Sequence, residues 1–173
     1  MLSRVADSIY WLNRYIERAE NVARFLDVNL MLLDMPAGVQ QQWTPLVVTT
    51  GDLSFFKDHY GDVTPEKVIQ FLVFDRSYPN SILSCLHMAR ENARSIREVI
   101  SSEMWEQVNE FYAMLAQAKQ DLSLPDLNAL LTHVKQSSHL FAGIMTATMS
   151  HNEGWHFGRC HQVHWVRIVC TGL

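Results

Sequence analysis

Apolar residues recur in alternating steps of four and three along the first part of the chain. The repeat consists of Val5, Ile9, Leu12, Ile16, Ala19, Ala23, Leu26, Leu30 and Leu33. This spacing averages about 3.5 residues, which is typical of helices that pack nearly parallel to one another. It predicts a long first helix from about Ser3 to Asp34, which Pro36 and Gly38 end.

The same spacing returns in the second half of the chain. Pro79 is predicted to open a second long helix, and a break at Ser101–Ser102 separates it from a third. The two repeats are Ile82, Leu86, Ala89, Ala93, Ile96 and Ile100, and then Met104, Val108, Phe111, Leu115, Ala118 and Leu122. Pro125 begins a last helix, which carries Leu127, Leu131, Val134, Phe141 and Ile144.

The segment between the first two long helices is less regular. Short helical pieces are predicted near Thr44–Thr50 and Leu53–Tyr60, and Thr64 is placed as the N-cap of a short helix from Glu66 to Phe74. The apolar run Leu46–Val48 is too short to indicate a sheet. The sequence therefore predicts an all-α fold, a bundle of long antiparallel helices with coiled-coil-like packing.

Composition narrows the class of protein. Hydrophobic residues make up 48% of the 173 residues, which suits one domain with its own core. The net charge of −4, without a basic run, argues against nucleic acid as a partner. No apolar stretch reaches the roughly 18 residues that a membrane span requires. Three cysteines without a CxxC pair favour a reducing compartment, so we expect a cytoplasmic protein.

Charged residues form two rows that need an explanation. The first row, beside the apolar stripe of helix one, is Asn13, Glu17, Glu20, Arg24 and Asp27. The second row, beside the stripe of the second long helix, is Arg90, Arg94 and Arg97. A solvated face with pairing inside helix one explains the first row. An interhelical network of Glu17 or Glu20 with the arginines is the second explanation, and it ranks ahead of a phosphate or carboxylate ligand gripped by the arginines.

Arg18 stands apart because it lies among apolar residues of helix one, namely Trp11, Tyr15, Val22 and Phe25. A guanidinium keeps its charge, so three explanations stay open. The side chain extends to water along its aliphatic stem, it forms a buried ion pair, or it contacts a ligand.

No metal or cofactor is predicted. Glu153 and His156 have the Glu-x-x-His spacing of di-iron bundles, but those sites need two such motifs and two further glutamates. Adventitious binding of a divalent ion by His156, His161 and His164 is favoured over a dedicated metal site in this region. No nucleophile elbow, phosphate-binding glycine loop or dinucleotide fingerprint is present.

Several long segments of the chain, in order, resemble the bacterial alpha-E family. They are Met1–Asn21, Phe74–Ile82, Ala89–Arg97 and Ser101–Glu106. The resemblance implies an all-helical protein whose relatives are commonly encoded beside circularly permuted ATP-grasp and transglutaminase-like proteins. It implies a role in ATP-dependent amide or peptide ligation, or in modifying the product. Matched to the family pattern, the candidate polar site comprises Arg14, Glu17, Arg18, Glu20, Arg90, Asn92 and Arg94.

The resemblance extends to about Arg159 and corresponds to the N-terminal half of the family pattern. We expect an alpha-E-like helical domain over residues 1–159 and a divergent tail over 160–173. The stretch Met149–Arg159 resembles the lead into a second copy of the motif, which does not follow; this predicts a truncated or frameshifted gene, or an artefact of the sequence. Such a chain leaves apolar helix faces uncovered, so we expect a homo-oligomer.

The sequence leaves three functions open. The favoured one is a non-catalytic accessory or interaction module of an ATP-grasp-associated ligation system. The second is an enzyme of that pathway, with Glu17 or Glu20 as general base and Arg90 and Arg94 holding an anionic substrate. The third is a purely structural, self-assembling helical bundle.

Overall fold

Helices account for the regular structure of this protein, as the periodicity predicts. The structure, a computed structural model, describes residues 3–33, 43–118, 123–149 and 158, and within them it contains α-helices, one π-helical turn and no strand. The helices are α1 (Ser3–Leu33), α2 (Trp43–Thr50), α3 (Leu53–Tyr60), α4 (Pro65–Ile69), α5 (Ile82–Ser95), α6 (Ser102–Ala116) and α7 (Leu124–Thr148). The all-α prediction is confirmed, whereas coiled-coil-like packing stays a prediction.

Serine and threonine caps decide where the helices begin. Thr64, Ser81, Ser101 and Ser123 each accept a hydrogen bond from the backbone N–H three residues further on, which satisfies one of the free donors at a helix start. The predicted break before the third long helix is present, but it is wider than predicted: α5 ends at Ser95, residues 96–100 form turns that bury Ile96 and Ile100, and α6 begins at Ser102. The second long helix begins at Ile82 and not at Pro79, because Ser81 is its cap and residues 75–81 form a loop.

The core lies along the four–three repeats. Helix α1 packs against α5 and α7, and α6 packs against the same two helices. The members of the repeats that are fully or almost fully buried include Ile9, Leu12, Ile16, Ala19, Ala23, Leu26, Ile82, Leu86, Ala89, Ala93, Met104, Val108, Phe111, Leu115, Leu127, Leu131, Val134 and Phe141. The α1–α5 contact is the most extensive, and the buried alanines of both helices allow their backbones to approach closely.

The short helices build an aromatic cluster at one end of the bundle. Phe71, in the π-helical turn Gln70–Phe74 that continues α4, stacks on Tyr78 with ring centroids 4.0 Å apart. Phe56 meets the Phe71 ring edge-on at 5.2 Å, and Phe55 also packs against both Phe71 and Tyr78. This cluster fixes the loop that joins the π-helical turn to α5.

The second apolar face of α1 is covered only in part. Tyr15, Val22 and Phe25 on that face are half-buried against the core, whereas Val28 and Met31, which lie elsewhere around α1, are 58% and 62% exposed. Among the described helices, none is long and apolar enough to cross a membrane. The predicted divergent tail, 160–173, lies outside the described residues.

Candidate functional site

A pocket of about 470 Å³ opens between α1, the loop 75–81, α5 and α6. We call it the Arg18 pocket. Its described lining residues are Tyr15 and Arg18 from α1, Arg76 and Pro79 from the loop, Leu83, Ser84, His87 and Met88 from α5, and Tyr112 from α6. The lining thus combines two guanidinium groups with aromatic and aliphatic side chains, and it contains no Asp or Glu among the residues that the structure describes.

A chain of hydrogen bonds holds Arg18 at the pocket wall. Arg18 Nη1 donates to Asn80 Oδ1 at 2.9 Å, and the guanidinium lies 5.7 Å from the centroid of the Tyr15 ring. The Asn80 side chain is hydrogen-bonded to Tyr78, whose hydroxyl donates to Asp52 Oδ2 at 2.7 Å. Burial and the Asp52 carboxylate raise the pKa of Tyr78 to about 12, so this link stays protonated at neutral pH.

The environment of Arg18 excludes one of its three explanations. The side chain is half-buried, and within the described ranges no carboxylate pairs with it. The buried ion pair is therefore wrong for this part of the chain. Asn80 accepts from one of the five N–H donors of the guanidinium, and within the described ranges it is the hydrogen-bond acceptor that Arg18 has at the pocket wall.

The loop that carries Arg76 is held by Asp75. Asp75 Oδ1 accepts from Ser77 N at 2.7 Å and from Ser77 Oγ at 2.6 Å, and Oδ2 accepts from Tyr60 Oη at 2.9 Å. The Asp75 backbone carbonyl accepts from Ser81 Oγ and Ser84 Oγ. Burial acts to raise the pKa of Asp75, but the bonds from Ser77 and Tyr60 outweigh it and hold the pKa below its ordinary value.

Cys85 lies in the core behind the pocket and is not a nucleophile. It is fully buried, and its Sγ donates to the carbonyl of Pro79 at 3.7 Å. Burial raises the pKa of the thiol to about 12, and the nearby charge of Arg18 offsets only part of this rise. The thiolate, which is the reactive form, is therefore scarce at neutral pH.

The candidate glutamates lie elsewhere, in a groove of about 230 Å³ between α1 and α7. Glu20 Oε1 accepts from Arg24 Nη2 at 2.6 Å and lies 3.1 Å from His139 Nε2, and Oε2 accepts from Ser138 Oγ at 2.5 Å. Burial raises the pKa of Glu20, yet the bonds from Ser138 and Arg24 bring it below the ordinary value. Glu17 lines the same groove and accepts from Arg14 Nη1 at 2.8 Å.

Gly158 packs between α1 and α7. A Cβ added to it would lie 3.0 Å from Met145 Sδ and 3.1 Å from Asn13 Nδ2, so a larger residue here requires these two side chains to shift by a few tenths of an ångström. Gly158 belongs to the stretch that resembles the lead into a second motif copy. It is buried against the helices that form the glutamate groove.

The arginines of the second charged row point towards α6 and the surface; Arg90 and Arg94 lie on α5, and Arg97 lies in the turn that follows it. Arg90 Nε donates to Asn109 Oδ1 at 2.7 Å, and its guanidinium lies 5.6 Å from the centroid of Tyr112. Arg94 is 66% exposed and bonds Glu91 at 2.5 Å, while Asn92 Nδ2 donates to a carbonyl of its own helix. Arg97 lies over the Trp105 ring of α6 at 5.1 Å.

The predicted pairing of Glu20 with the α5 arginines is therefore wrong. Glu20 and Arg18 are two residues apart, which places them about 200° apart around α1. Arg18 faces the loop before α5, so Glu20 faces α7. Pairing of Glu20 with Arg24 inside α1, the alternative explanation, is present; Asp27 instead accepts from Lys135 Nζ of α7 at 2.7 Å.

Of the seven candidate polar residues, Arg18 lines the pocket, and Arg90 contacts the ring of Tyr112, another lining residue. Sequence reasoning missed Arg76, Asn80 and Tyr112. The first two lie in the Phe74–Ile82 segment that carried the family resemblance, so their polar character inside that segment was an available signal. Nothing in the sequence pattern marked Tyr112, which reaches the pocket only because α6 packs on α5.

No group of three His, Cys, Asp or Glu side chains close enough to hold a metal ion occurs among the described residues. Glu153, His156, His161 and His164, the metal candidates of the sequence, lie outside them. The prediction that the chain holds no metal or cofactor stays a prediction.

The fold defines the class as an all-helical domain, and sequence comparison gives the family. Residues 1–160 match the Alpha-E family, which is described as a predicted alpha-helical domain with a conserved ER motif. The chain belongs to the Alpha-E family. No curated protein and no solved structure matches it. The sequence contains the dipeptide Glu-Arg once, as Glu17-Arg18, and its two residues face different sites: Glu17 the α1–α7 groove and Arg18 the pocket.

Proposed function

We propose that this chain is a helical accessory or interaction module of a bacterial, cytoplasmic amide- or peptide-ligation system that contains an ATP-grasp protein. Two considerations support the proposal. The resemblance to the alpha-E family implies that setting, and the described residues form a bundle in which the candidate acid–base groups and the arginine-lined pocket are separated.

The separation of Glu20 from Arg18 is the observation that best supports a non-catalytic function. A general base has to lie within hydrogen-bond reach of the proton that it removes. Glu20 is bonded to Ser138 and Arg24 in the α1–α7 groove, whereas Arg18 and Arg76 line a pocket on another side of α1. A substrate anion held by these two arginines is thus remote from the proposed base.

An enzymatic role in the same pathway is the second candidate. It is favoured by two guanidinium groups at one pocket without a carboxylate partner, because such groups can bind a substrate anion and stabilise developing negative charge. Its general base cannot be Glu20 in the described geometry. His87 and Tyr112 are the proton-transfer groups that the pocket lining offers instead.

A reconstituted ligation assay separates the two candidates. The purified chain, a circularly permuted ATP-grasp protein of the kind encoded beside alpha-E family members, and the two together are each incubated with ATP, a carboxylic acid and an amine; ADP and amide are measured. We expect no amide from the chain alone and increased amide formation when both proteins are present. Amide formation or hydrolysis by the chain alone, abolished in His87→Ala, would establish the enzyme instead. No effect on the ATP-grasp protein at any ratio would contradict the accessory role.

A further inference from the structure

The charge balance of the Arg18 pocket is unusual. Arg18 and Arg76 both line it, and neither pairs with a carboxylate in the part of the chain that the structure describes. Two cations at one concave site repel each other and raise the local positive potential. The first turn of α5 supplies Leu83 and Ser84 to the same wall, and the positive end of that helix dipole adds to the potential.

The remaining lining is suited to an apolar ligand body. Leu83, Met88 and Pro79 contribute aliphatic surface, and Tyr15 and Tyr112 contribute aromatic rings. Met88 is 40% exposed although it is a large apolar side chain, as expected of the open side of a binding site. The volume of about 470 Å³ lies within the range of small-molecule sites, about 300–1,000 Å³.

The Arg18 guanidinium is held in place before any ligand binds. The Asn80 bond and the contact with Tyr15 restrict the Arg18 guanidinium, and Asn80 is itself held by the Tyr78–Asp52 pair. Arg76 lies on a loop whose backbone is held by two side chains. The Asp75 carboxylate accepts from Ser77 N, and Ser84 Oγ donates to the carbonyls of Asp75 and Arg76. A site whose donors are fixed before binding loses less conformational entropy when a ligand arrives.

We propose that the Arg18 pocket binds a small organic carboxylate whose apolar or aromatic body lies against Leu83, Met88 and Tyr112. The carboxylate accepts hydrogen bonds from the free donors of Arg18, and Arg76 adds a second positive charge at the mouth. A planar carboxylate suits a single fixed guanidinium fork, because the two groups match in a paired, coplanar hydrogen bond. This inference does not depend on the accessory role, since it concerns binding alone.

Matched acid and amide pairs provide the test. Benzoate and benzamide, phenylacetate and phenylacetamide, hexanoate and hexanamide, and N-acetylphenylalanine and its amide are titrated into the full chain by ligand-observed NMR. We expect at least one acid to bind at least tenfold more tightly than its amide. If no acid exceeds its amide, the proposal is wrong. Phenyl phosphate forms a separate arm; if it binds more than tenfold tighter than every carboxylate, the headgroup is phosphate and the carboxylate assignment is overturned.

Substitutions then locate the binding site. Arg18→Met should weaken the best acid at least tenfold, and Arg76→Met about threefold, while binding of the amide stays within twofold. Arg4→Met is the matched control, because Arg4 is an exposed arginine of the same helix outside the pocket lining; it should leave acid binding within twofold. Equal weakening by Arg4→Met, or none by Arg18→Met, would place the ligand elsewhere.

A second approach keeps the proposal testable if Arg18→Met does not fold. Met88→Trp introduces a larger side chain at a half-exposed position of the pocket wall and leaves both arginines intact. It should reduce acid and amide binding alike by at least fivefold. Unchanged binding in both Met88→Trp and Arg76→Met would overturn the assignment to this pocket.

Discussion

Arg18 and Asn80, 62 residues apart in sequence, are joined by a hydrogen bond of 2.9 Å from Arg18 Nη1 to Asn80 Oδ1. The bond connects α1 to the loop that precedes α5. Through Tyr78 and Asp52 it continues to the start of α3. One arginine is thus linked to three parts of the fold, and its orientation is set by residues far from it in the chain.

The Arg18–Asn80 bond should be measurable as a coupling. Asn80→Ala removes the acceptor, and a hydrogen bond to a charged group is worth about 1.5–3 kcal/mol, less where it is partly exposed. We therefore expect a loss of about 1–2 kcal/mol in urea unfolding and a coupling of about 1 kcal/mol in the cycle with Arg18→Met. Asn128→Ala, at an exposed position of α7, is the control and should change stability by under about 0.5 kcal/mol. Additivity of Asn80→Ala and Arg18→Met would show that the bond does not form in solution.

Two ion pairs of unequal burial should differ in stability. Lys135 Nζ and Asp27 Oδ2 join α7 to α1 at 2.7 Å with side chains 20% and 10% exposed, whereas Arg94 is 66% exposed and pairs within α5. Asp27→Asn should cost about 1–3 kcal/mol because it leaves the Lys135 charge without its partner. Arg94→Ala should cost under about 1 kcal/mol.

Denaturant unfolding of Asp27→Asn and Arg94→Ala, and of Glu20→Gln combined with Arg94→Ala, measures these contributions to stability. The combined variant should be additive, because Glu20 bonds α7 and Arg94 bonds Glu91. A coupling above about 0.5 kcal/mol between Glu20 and Arg94 would restore the interhelical network that the sequence favoured.

Acid should destabilise the protein through Asp75 and Glu20. In the folded state the pKa of each carboxyl lies below its ordinary value, 3.8 for Asp75 and 4.5 for Glu20. A lowered folded pKa stabilises the protein above the ordinary value, and this contribution is lost as pH falls through the folded pKa. Urea melts from pH 7 to pH 3 should therefore show stability declining below about pH 4.5.

The Asp75→Asn variant isolates one of these contributions. It should be less stable than the parent at pH 7 and should show a shallower decline between pH 4 and pH 3. Ser77→Ala removes a hydroxyl donor to Asp75 while keeping the backbone donor. Its stability at pH 7 and its acid dependence should lie between those of the parent and of Asp75→Asn. If Asp75→Asn keeps the full acid dependence of the parent, the loop does not depend on the ionised carboxylate.

Self-association, expected from the uncovered apolar faces of α1, stays a prediction. Val28 and Met31 lie three residues apart on one face of α1 and are both more than half exposed. Light scattering at micromolar concentration should give a mass above the 20.0 kDa of one chain. Met31→Glu should shift the mass towards the monomer with little effect on unfolding, whereas Val48→Glu, an exposed change on α2, should not. A parent protein that stays at 20.0 kDa would end this expectation.

The sequence was sufficient for the helices and their buried stripes, because both follow from local periodicity. Residues such as Leu12, Ala89 and Val134 are buried where the four–three steps place them. Serine and proline signals were equally local, so the starts of α4, α6 and α7 were close to their predicted positions.

The candidate site could not be derived in the same way, because it depends on the direction in which each helix faces its neighbours. A row such as Arg90, Arg94 and Arg97 can be identified from spacing, but whether it meets α1 or α6 is fixed by the packing of the whole bundle. The same holds for Arg76 and Tyr112, whose meeting in one pocket needs a loop, α5 and α6 together. Two of the segments that carry the family resemblance supply Tyr15, Arg18, Arg76 and Pro79 to the pocket, but the resemblance did not say which of their polar groups converge.

Glu17 and Arg18 are neighbours on a rigid helix, yet one lines the groove against α7 and the other the pocket beside α5. A rotation of α1 about its long axis moves both side chains together, because consecutive residues of an α-helix are held about 100° apart. A change that turns α1 at the Arg18 pocket therefore also displaces Glu17 in the groove against α7, so the helix itself connects the two surfaces.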